Sequence, residues 1–230
     1  MRRIAVAALL AALAVACSRR EPAQESVAPA ADPYPDEKAN LDLWLERMEV
    51  GSREIYSARD AIAAAIDLKD GARIADIGAG TGIYSMLFSE RVGDSGAVYA
   101  VDIEPRFLKL INQRAEDNGR NNIVSVLGRP DSITLPPGSV DAVFICDTYH
   151  YFENPALIMS TVYAALRPGG ALYVVDYDIG PGETPPADHR HVRFGKADVA
   201  AEISSFGFSP AAEVKVDGLV ENYMLRFTRP

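Results

Sequence analysis

The stretch that most limits what this 230-residue chain can fold into is Ala75-Asp76-Ile77-Gly78-Ala79-Gly80-Thr81-Gly82. A short apolar run, Arg73 to Ile77, enters it, and a helical pattern of Ile83, Met86, Leu87 and Phe88 leaves it, with glycine at every second position between. That order predicts a strand, a tight turn and a helix. Glycine lets the backbone turn sharply and lets a ligand approach with no Cβ in the way, while the helix start offers unpaired N–H groups to polar or anionic atoms. Similar turns also join strands to helices in folds that bind nothing, so the loop takes its meaning from the register of the next strand.

Val98-Tyr99-Ala100-Val101-Asp102 reads as that second strand, ending in a carboxylate 20 residues past Gly82, where a doubly wound sheet holds a ribose diol. Gly78, Gly80 and Gly82 give GxGxG, whereas a dinucleotide fingerprint is GxGxxG, so a nicotinamide-dependent oxidoreductase is disfavoured. On these residues the chain resembles the class I S-adenosylmethionine (SAM) dependent methyltransferases, over roughly residues 40 to 230. Further matches are Asp141-Ala-Val-Phe-Ile-Cys-Asp147 as the fourth strand and Leu166-Arg-Pro-Gly-Gly170 before the fifth. The resemblance implies an α/β fold, a Rossmann-like doubly wound sheet of seven strands, mostly parallel with an antiparallel last strand. It also implies SAM as cofactor. Gly78, Gly80 and Gly82 would then lie beside the methionine part, with Asp76 orienting that loop and the amino group. Asp102 would hold the ribose hydroxyls, Asp131 the adenine amino group, and Asp147 would stand at the cofactor.

The remaining elements are read from periodicity and turn chemistry. Leu41 to Ile66 reads as two helices broken near Gly51, with Leu41, Trp44, Leu45 and Met48 on one face and then Ile55, Ile62 and Ile66. In the resembled family such helices lie over the cofactor cleft, within reach of a substrate for Trp44, Tyr56 and Arg59. Packing is the preferred reading of Trp44, and Arg53-Glu54 fits a solvated helical pair. Glu104-Pro105 opens a helix to about Asn118, and Ile123 to Leu127 is a third strand. Asp131, following Pro130, equally fits a turn.

The fourth strand, Ala142 to Cys146, runs into Asp147-Thr148-Tyr149-His150-Tyr151-Phe152. Ligands bind outside the carboxyl ends of the strands at the switch point, between strands one and four, so this loop is expected to border the transferred methyl. The catalytic candidates are His150, as general base, and Tyr149, whose ring face attracts a sulfonium charge. Both equally fit a pocket-shaping role, because methyl transfer from a sulfonium proceeds by alignment without a base. The Asn or Asp, Pro, Pro, aromatic signature of adenine-N6 and cytosine-N4 methyltransferases is absent from this loop. The arsenite type, which needs several thiols, is also disfavoured.

Pro155 to Leu166 reads as a helix, Arg167-Pro-Gly-Gly170 as its stop, and Ala171 to Asp176 as the fifth strand. Tyr177 to Gly195 is a long Pro/Gly-rich loop at a strand's carboxyl end, a position that favours function. Of its residues Asp178, His189, His191 and Arg193, the two histidines, with Tyr177, are the substrate-contact candidates. His189 and His191 stand two apart with no further ligand pattern beside them, and no metal site is expected. A helix from Ala197 to Phe206 and strands at Val214–Val216 and Tyr223–Phe227 complete the chain.

Met1-Arg2-Arg3 precedes thirteen apolar residues, Ile4 to Ala16, and then Cys17, the layout of a signal peptide at residues 1–16, too short to span a membrane. Ala14-Val15-Ala16-Cys17 resembles a bacterial lipoprotein cleavage box with Ala14 where Leu is usual, which would make Cys17 a lipidation site and the lipid the only membrane contact. Residues 17–36, rich in Pro, Ala, Glu, Gln and Ser, read as a tether that spans on the order of 25 Å, leaving residues 37–230 as one domain. The formal charge is −9, and removal of Arg2 and Arg3 makes it −9 − 2 = −11, with no basic patch for nucleic acid. Beyond Cys17 only Cys146 remains, in an apolar run, which excludes a disulfide framework and a cysteine metal site. A small molecule is the expected partner, and the oligomeric state is not readable. Export separates the domain from cytosolic SAM, which leaves open a second reading: a lipoprotein that keeps the fold and binds a nucleoside-like or other small ligand without catalysis.

Overall fold

The computed structural model describes residues 41–180, 183–185, 189–192 and 194–230. The signal peptide, Cys17, the tether and Arg193 lie outside the described residues. The N-terminal helical region forms α1 (Leu41–Met48), α2 (Glu54–Ser57) and α3 (Arg59–Ala65), broken at Gly51 as expected and again at Ala58. From there strands and helices alternate: β1 (Arg73–Ile77), α4 (Ile83–Val92), β2 (Ala97–Asp102), α5 (Pro105–Asp117) and β3 (Ile123–Leu127). They are followed by β4 (Val140–Cys146), α6 (Pro155–Ala165), β5 (Leu166–Tyr177), α7 (Lys196–Ser205), β6 (Ala212–Glu213) and β7 (Asn222–Thr228).

The seven strands form one sheet in the order β3-β2-β1-β4-β5-β7-β6. β1 to β5 are parallel to one another, and β7 runs antiparallel to both β5 and β6. The direction of strand addition reverses between β1 and β4, as expected. A parallel sheet covered on both faces needs strands apolar on both sides, and β4 shows this: Ala142 and Phe144 face one core cluster while Val143 and Ile145 face the other. The first cluster packs α3 and α4 through Ile62, Phe88 and Val92, and the second packs α6 and α7 through Ile158, Met159, Val162, Val199 and Ile203.

Helix starts follow local chemistry. Glu104 caps α5 by accepting from Arg106 N–H, and Asn154 caps α6 by accepting from Leu157 N–H, each followed by a proline at the first helical position. Two expectations are corrected. Arg167-Pro-Gly-Gly170 does not separate helix from strand but bulges within β5: Leu166 pairs with Val140, Ala171 with Ala142, and Arg167 Nη1 bonds the intervening Asp141 at 2.6 Å. The short strand expected at Val214–Val216 lies at Ala212–Glu213, with Val214 N–H still donating to Met224 at 2.8 Å.

Candidate functional site

The glycine loop is folded back on β2. Gly78 and Ala79 N–H both donate to the Val101 carbonyl, at 2.8 and 3.1 Å, so the chain reverses where β1 ends. Gly80 N–H donates to Asp102 Oδ2 at 2.8 Å, and Glu104 N–H to Asp102 Oδ1 at 2.9 Å. Asp102 thus reaches the loop from the neighbouring strand, with burial pushing its pKa up against those N–H bonds. Asp76 is buried at the end of β1 and accepts from the Ser85 hydroxyl at 2.6 Å. Its pKa is raised to about 7, first by burial and then by the Asp102 charge. Ile103, 56% exposed, and Leu127, 55%, leave apolar surface beside Asp102, of the kind that a flat heterocycle covers.

Gly78 and Gly80 both have positive φ, +68° and +51°. A Cβ on Gly78 would lie 2.4 Å from the Thr148 side chain, and one on Gly80 would lie 2.7 Å from Met48 Cε. The loop therefore has the tip of β4 on one side and the end of α1 on the other. Glu49 pairs with Arg114 at 2.6 Å, and Arg114 also donates to Thr81 O at 3.1 Å. Trp44 is buried edge-on to Phe107 at 5.5 Å, a packing role. The Arg59 guanidinium lies 4.4 Å over the Tyr56 ring.

Arg53 and Glu54 are not the solvated pair that their spacing suggests. Arg53 donates to Met48 O at 3.2 Å and forms an ion pair with Asp147, and Glu54 accepts from Val220, Glu221 and Asn222. The loop after β4 supplies the opposite wall. Asp147 adopts φ +48°, left-handed backbone that Asp tolerates better than most residues. A 3-10 turn at Tyr149–Tyr151 then turns His150 inward. His150 Nδ1 lies 2.7 Å from Asp176 Oδ1, and that oxygen also accepts from Tyr177 N–H at 2.9 Å. The His191 ring is 4.8 Å from that of His150 and stacks on Tyr151 at 5.2 Å, while His189 stacks on Tyr177 at 4.0 Å.

All three histidines of the chain therefore meet at the carboxyl ends of β4 and β5, with Tyr151 and Tyr177 among them. Burial, then the neighbouring imidazoles, hold the His191 pKa down against the pull of Asp147 and Asp176. Tyr149 is not part of this group. Its ring packs against Phe152 in the core and its hydroxyl donates to Glu202 of α7 at 2.6 Å. Asp131 is exposed on the turn closed by Arg129 and Ser132. Burial pushes the Cys146 thiol up, as suits a packing cysteine.

Arg53 and Asp176 are the residues to which the sequence assigns no role. Asp176 carried a signal, a carboxylate at a strand's carboxyl end like Asp102. Arg53 carried none, because its partner is 94 residues away. A groove of about 630 Å³ opens at the opposite edge of the sheet, between residues 66–72, Asp141 and Gly169. The binding rule for open α/β sheets points to the carboxyl edge instead.

Residues 75–174 match the family described as "Methyltransferase domain". The chain is 25% identical over 157 residues to a ubiquinone/menaquinone biosynthesis C-methyltransferase UbiE of Hydrogenovibrio crunogenus, covering 68% of this chain and 61% of that protein. The UbiE of Shewanella frigidimarina is 26% identical over 148 residues, covering 64% and 58%. The chain thus spans about three fifths of the length of these relatives. A SAM dependent methyltransferase from Aquifex aeolicus superposes with a TM-score of 0.70 at 20% identity, covering 84% of this chain and all of that one. A putative methyltransferase from Bacillus halodurans gives 0.58 at 19%, covering 75% and 98%. The fold is the Rossmann-like fold of the class I methyltransferases, and fold and family match together imply SAM as the cofactor. The site fits it: a ribose-level carboxylate, bare apolar surface beside it, and a buried carboxyl suited to a cationic amino group.

Proposed function

We propose that the protein transfers a methyl group from SAM to a small planar acceptor. The observation that carries this reading is the meeting of Asp102 and Gly80 N–H across the carboxyl ends of β1 and β2, beside the switch point between β1 and β4, in a chain whose residues 75–174 match a methyltransferase domain. Bound SAM would supply an electrophilic methyl on a sulfonium. The chain's own part is to hold and align: Asp76 faces the amino group, Asp102 the ribose hydroxyls, the loop of Gly78, Gly80 and Gly82 runs beside the methionine part, and Asp147 stands at its edge. Asp131 is close enough along the chain to β3 to serve the adenine edge.

On the other side, the stacked rings of Tyr151 with His191 and of Tyr177 with His189 form a wall suited to a flat acceptor. The quinone-pathway names of the relatives support an aromatic one. His150, backed by Asp176, is the chain's proton acceptor where the acceptor carries a hydroxyl. Tyr149 acts through packing.

Calorimetric titration of SAM tests the reading. Asp102→Ala is expected to weaken SAM about 10- to 100-fold, the loss of charge-assisted hydrogen bonds, and unchanged affinity removes the assignment. No SAM binding by the folded wild type would favour the non-catalytic ligand-binding reading. We also propose that residues 1–16 direct export and that Cys17 carries the lipid anchor, on the support of the sequence alone. Incorporation of labelled palmitate that survives Cys17→Ser would overturn the anchor.

A further inference from the structure

We propose that Asp147, His150 and Asp176 form a site for one divalent transition-metal cation on the acceptor side of the cleft. Each residue offers a ligand atom, and these atoms lie within 4.8 Å of one another, a separation that small side-chain shifts close around an ion. They come from two strand ends and the turn between them, so no spacing along the chain announces them. The paired His189 and His191, by contrast, catch the eye in the sequence, with Asp188 directly before them.

The independent observation is at Asp176. Its side chain is fully buried; Oδ1 takes His150 and Tyr177 N–H, and Oδ2 has no hydrogen-bond partner among the described residues. A buried carboxylate oxygen with no donor is costly, and a cation is one of the few groups that satisfies it. A second imidazole, that of His191, stands next to this group, its ring 4.8 Å from that of His150. Two carboxylates with one or two imidazoles suit Mn²⁺ or Fe²⁺ better than a thiol-seeking metal, and better than Ca²⁺, which prefers an all-oxygen cage.

Among the described residues, Arg53 brings a cation into contact with the group through its pair with Asp147. A metal and this guanidinium compete for the same carboxylate. A bound ion would also take over from His150, lowering the pKa of the acceptor's hydroxyl so that its proton passes to water instead of to an imidazole base.

The test is Mn²⁺ binding to the full chain after chelator dialysis, followed by loss of the free-ion electron paramagnetic resonance signal, with no SAM or acceptor present. One equivalent is expected to bind saturably. Asp147→Asn, at the half-exposed rim, and Asp176→Asn are each expected to weaken it by more than the roughly ten-fold that loss of an outer-shell partner costs. Arg53→Gln is expected to tighten it, a direction that damage to the fold does not produce. Absence of saturable binding, or affinity indifferent to both Asp variants, overturns the site. SAM titration of the same samples keeps the outcomes apart, since either ligand can bind when the other fails.

Discussion

At the scale of single residues, the neighbours of a glycine decide what its replacement costs. Gly78 and Gly80 share positive φ, so an alanine at either position incurs about 1–2 kcal/mol of backbone strain. Beyond that they diverge. Met48 meets Gly80 with the free end of a flexible side chain, whereas Thr148 meets Gly78 with a branched side chain whose hydroxyl is bonded to Cys146 O at 2.8 Å. Gly78→Ala is therefore expected to destabilise by about 1–3 kcal/mol more than Gly80→Ala, the usual cost of overpacking. Urea unfolding of the two variants checks the ranking, and equal midpoints would refute it.

Asp76 gives a pH signature. The folded protein keeps this carboxyl protonated up to about pH 7, while the unfolded chain releases the proton near 3.8. The folded state then binds more protons across that window, so the contribution is full below about pH 4 and is lost as pH rises through 7. At 1.36 kcal/mol per unit it amounts to about 4 kcal/mol. Relative to Asp76→Asn, the wild type is expected to lose stability between pH 4 and 8, and a difference flat with pH would sink the assignment. A cationic ligand at Asp76 reverses the sign, so SAM affinity is expected to rise over the same window. The chain shows Asp76, Asp102 and the glycines openly, because strand end and loop are contiguous or one βα unit apart. It hides Arg53, whose partner lies 94 residues away, and shows Asp176 as a strand-end carboxylate without its His150 partner.

At the scale of elements, α2 is a single turn with no buried residue, and the carboxylate of Glu54 accounts for its position. That carboxylate collects the N–H groups of Val220, Glu221 and Asn222 and the Asn222 side chain, all between 2.9 and 3.1 Å. Against the burial that would raise it, these donors hold the Glu54 pKa below its ordinary value. The clamp is thus present above about pH 4.5 and weakens as pH falls further. Glu54→Gln is expected to cost about 1–2 kcal/mol after allowance for solvent screening. Amide exchange at residues 220–222 should quicken while β1 and β4 stay protected, and unchanged exchange there would count against the clamp. Element types were legible from periodicity nearly throughout. The misplacements, at β5 and β6, are where pairing partners set the boundary: Asp141 draws Arg167 into a bulge, and the ladder with β7 ends at Glu213 although Val214 and Val216 keep the alternation.

At the scale of the whole molecule, the two core faces meet through β4. Phe144 is fully buried, edge-on to Phe88 at 5.1 Å and 4.7 Å from Tyr84. Phe144→Ala is expected to cost about 3–5 kcal/mol. Because the same strand presents Val143 and Ile145 to the other face, the loss should appear as one cooperative transition shifted as a unit, and two separate transitions would show that the faces unfold independently.

The link between α2 and the turn before β7 also bears on time. Glu54 and its partners are separated by 166 to 168 residues, and β7 inserts between β5 and β6 instead of adding at an edge. Contacts so distant in sequence form late, because loop closure precedes any gain from them. A nascent chain can complete β1 to β4, glycine loop included, long before β7 leaves the ribosome, yet the Glu54 carboxylate beside Arg53 has none of its N–H partners until then. Competence for ligand is therefore expected to arrive with the last strand.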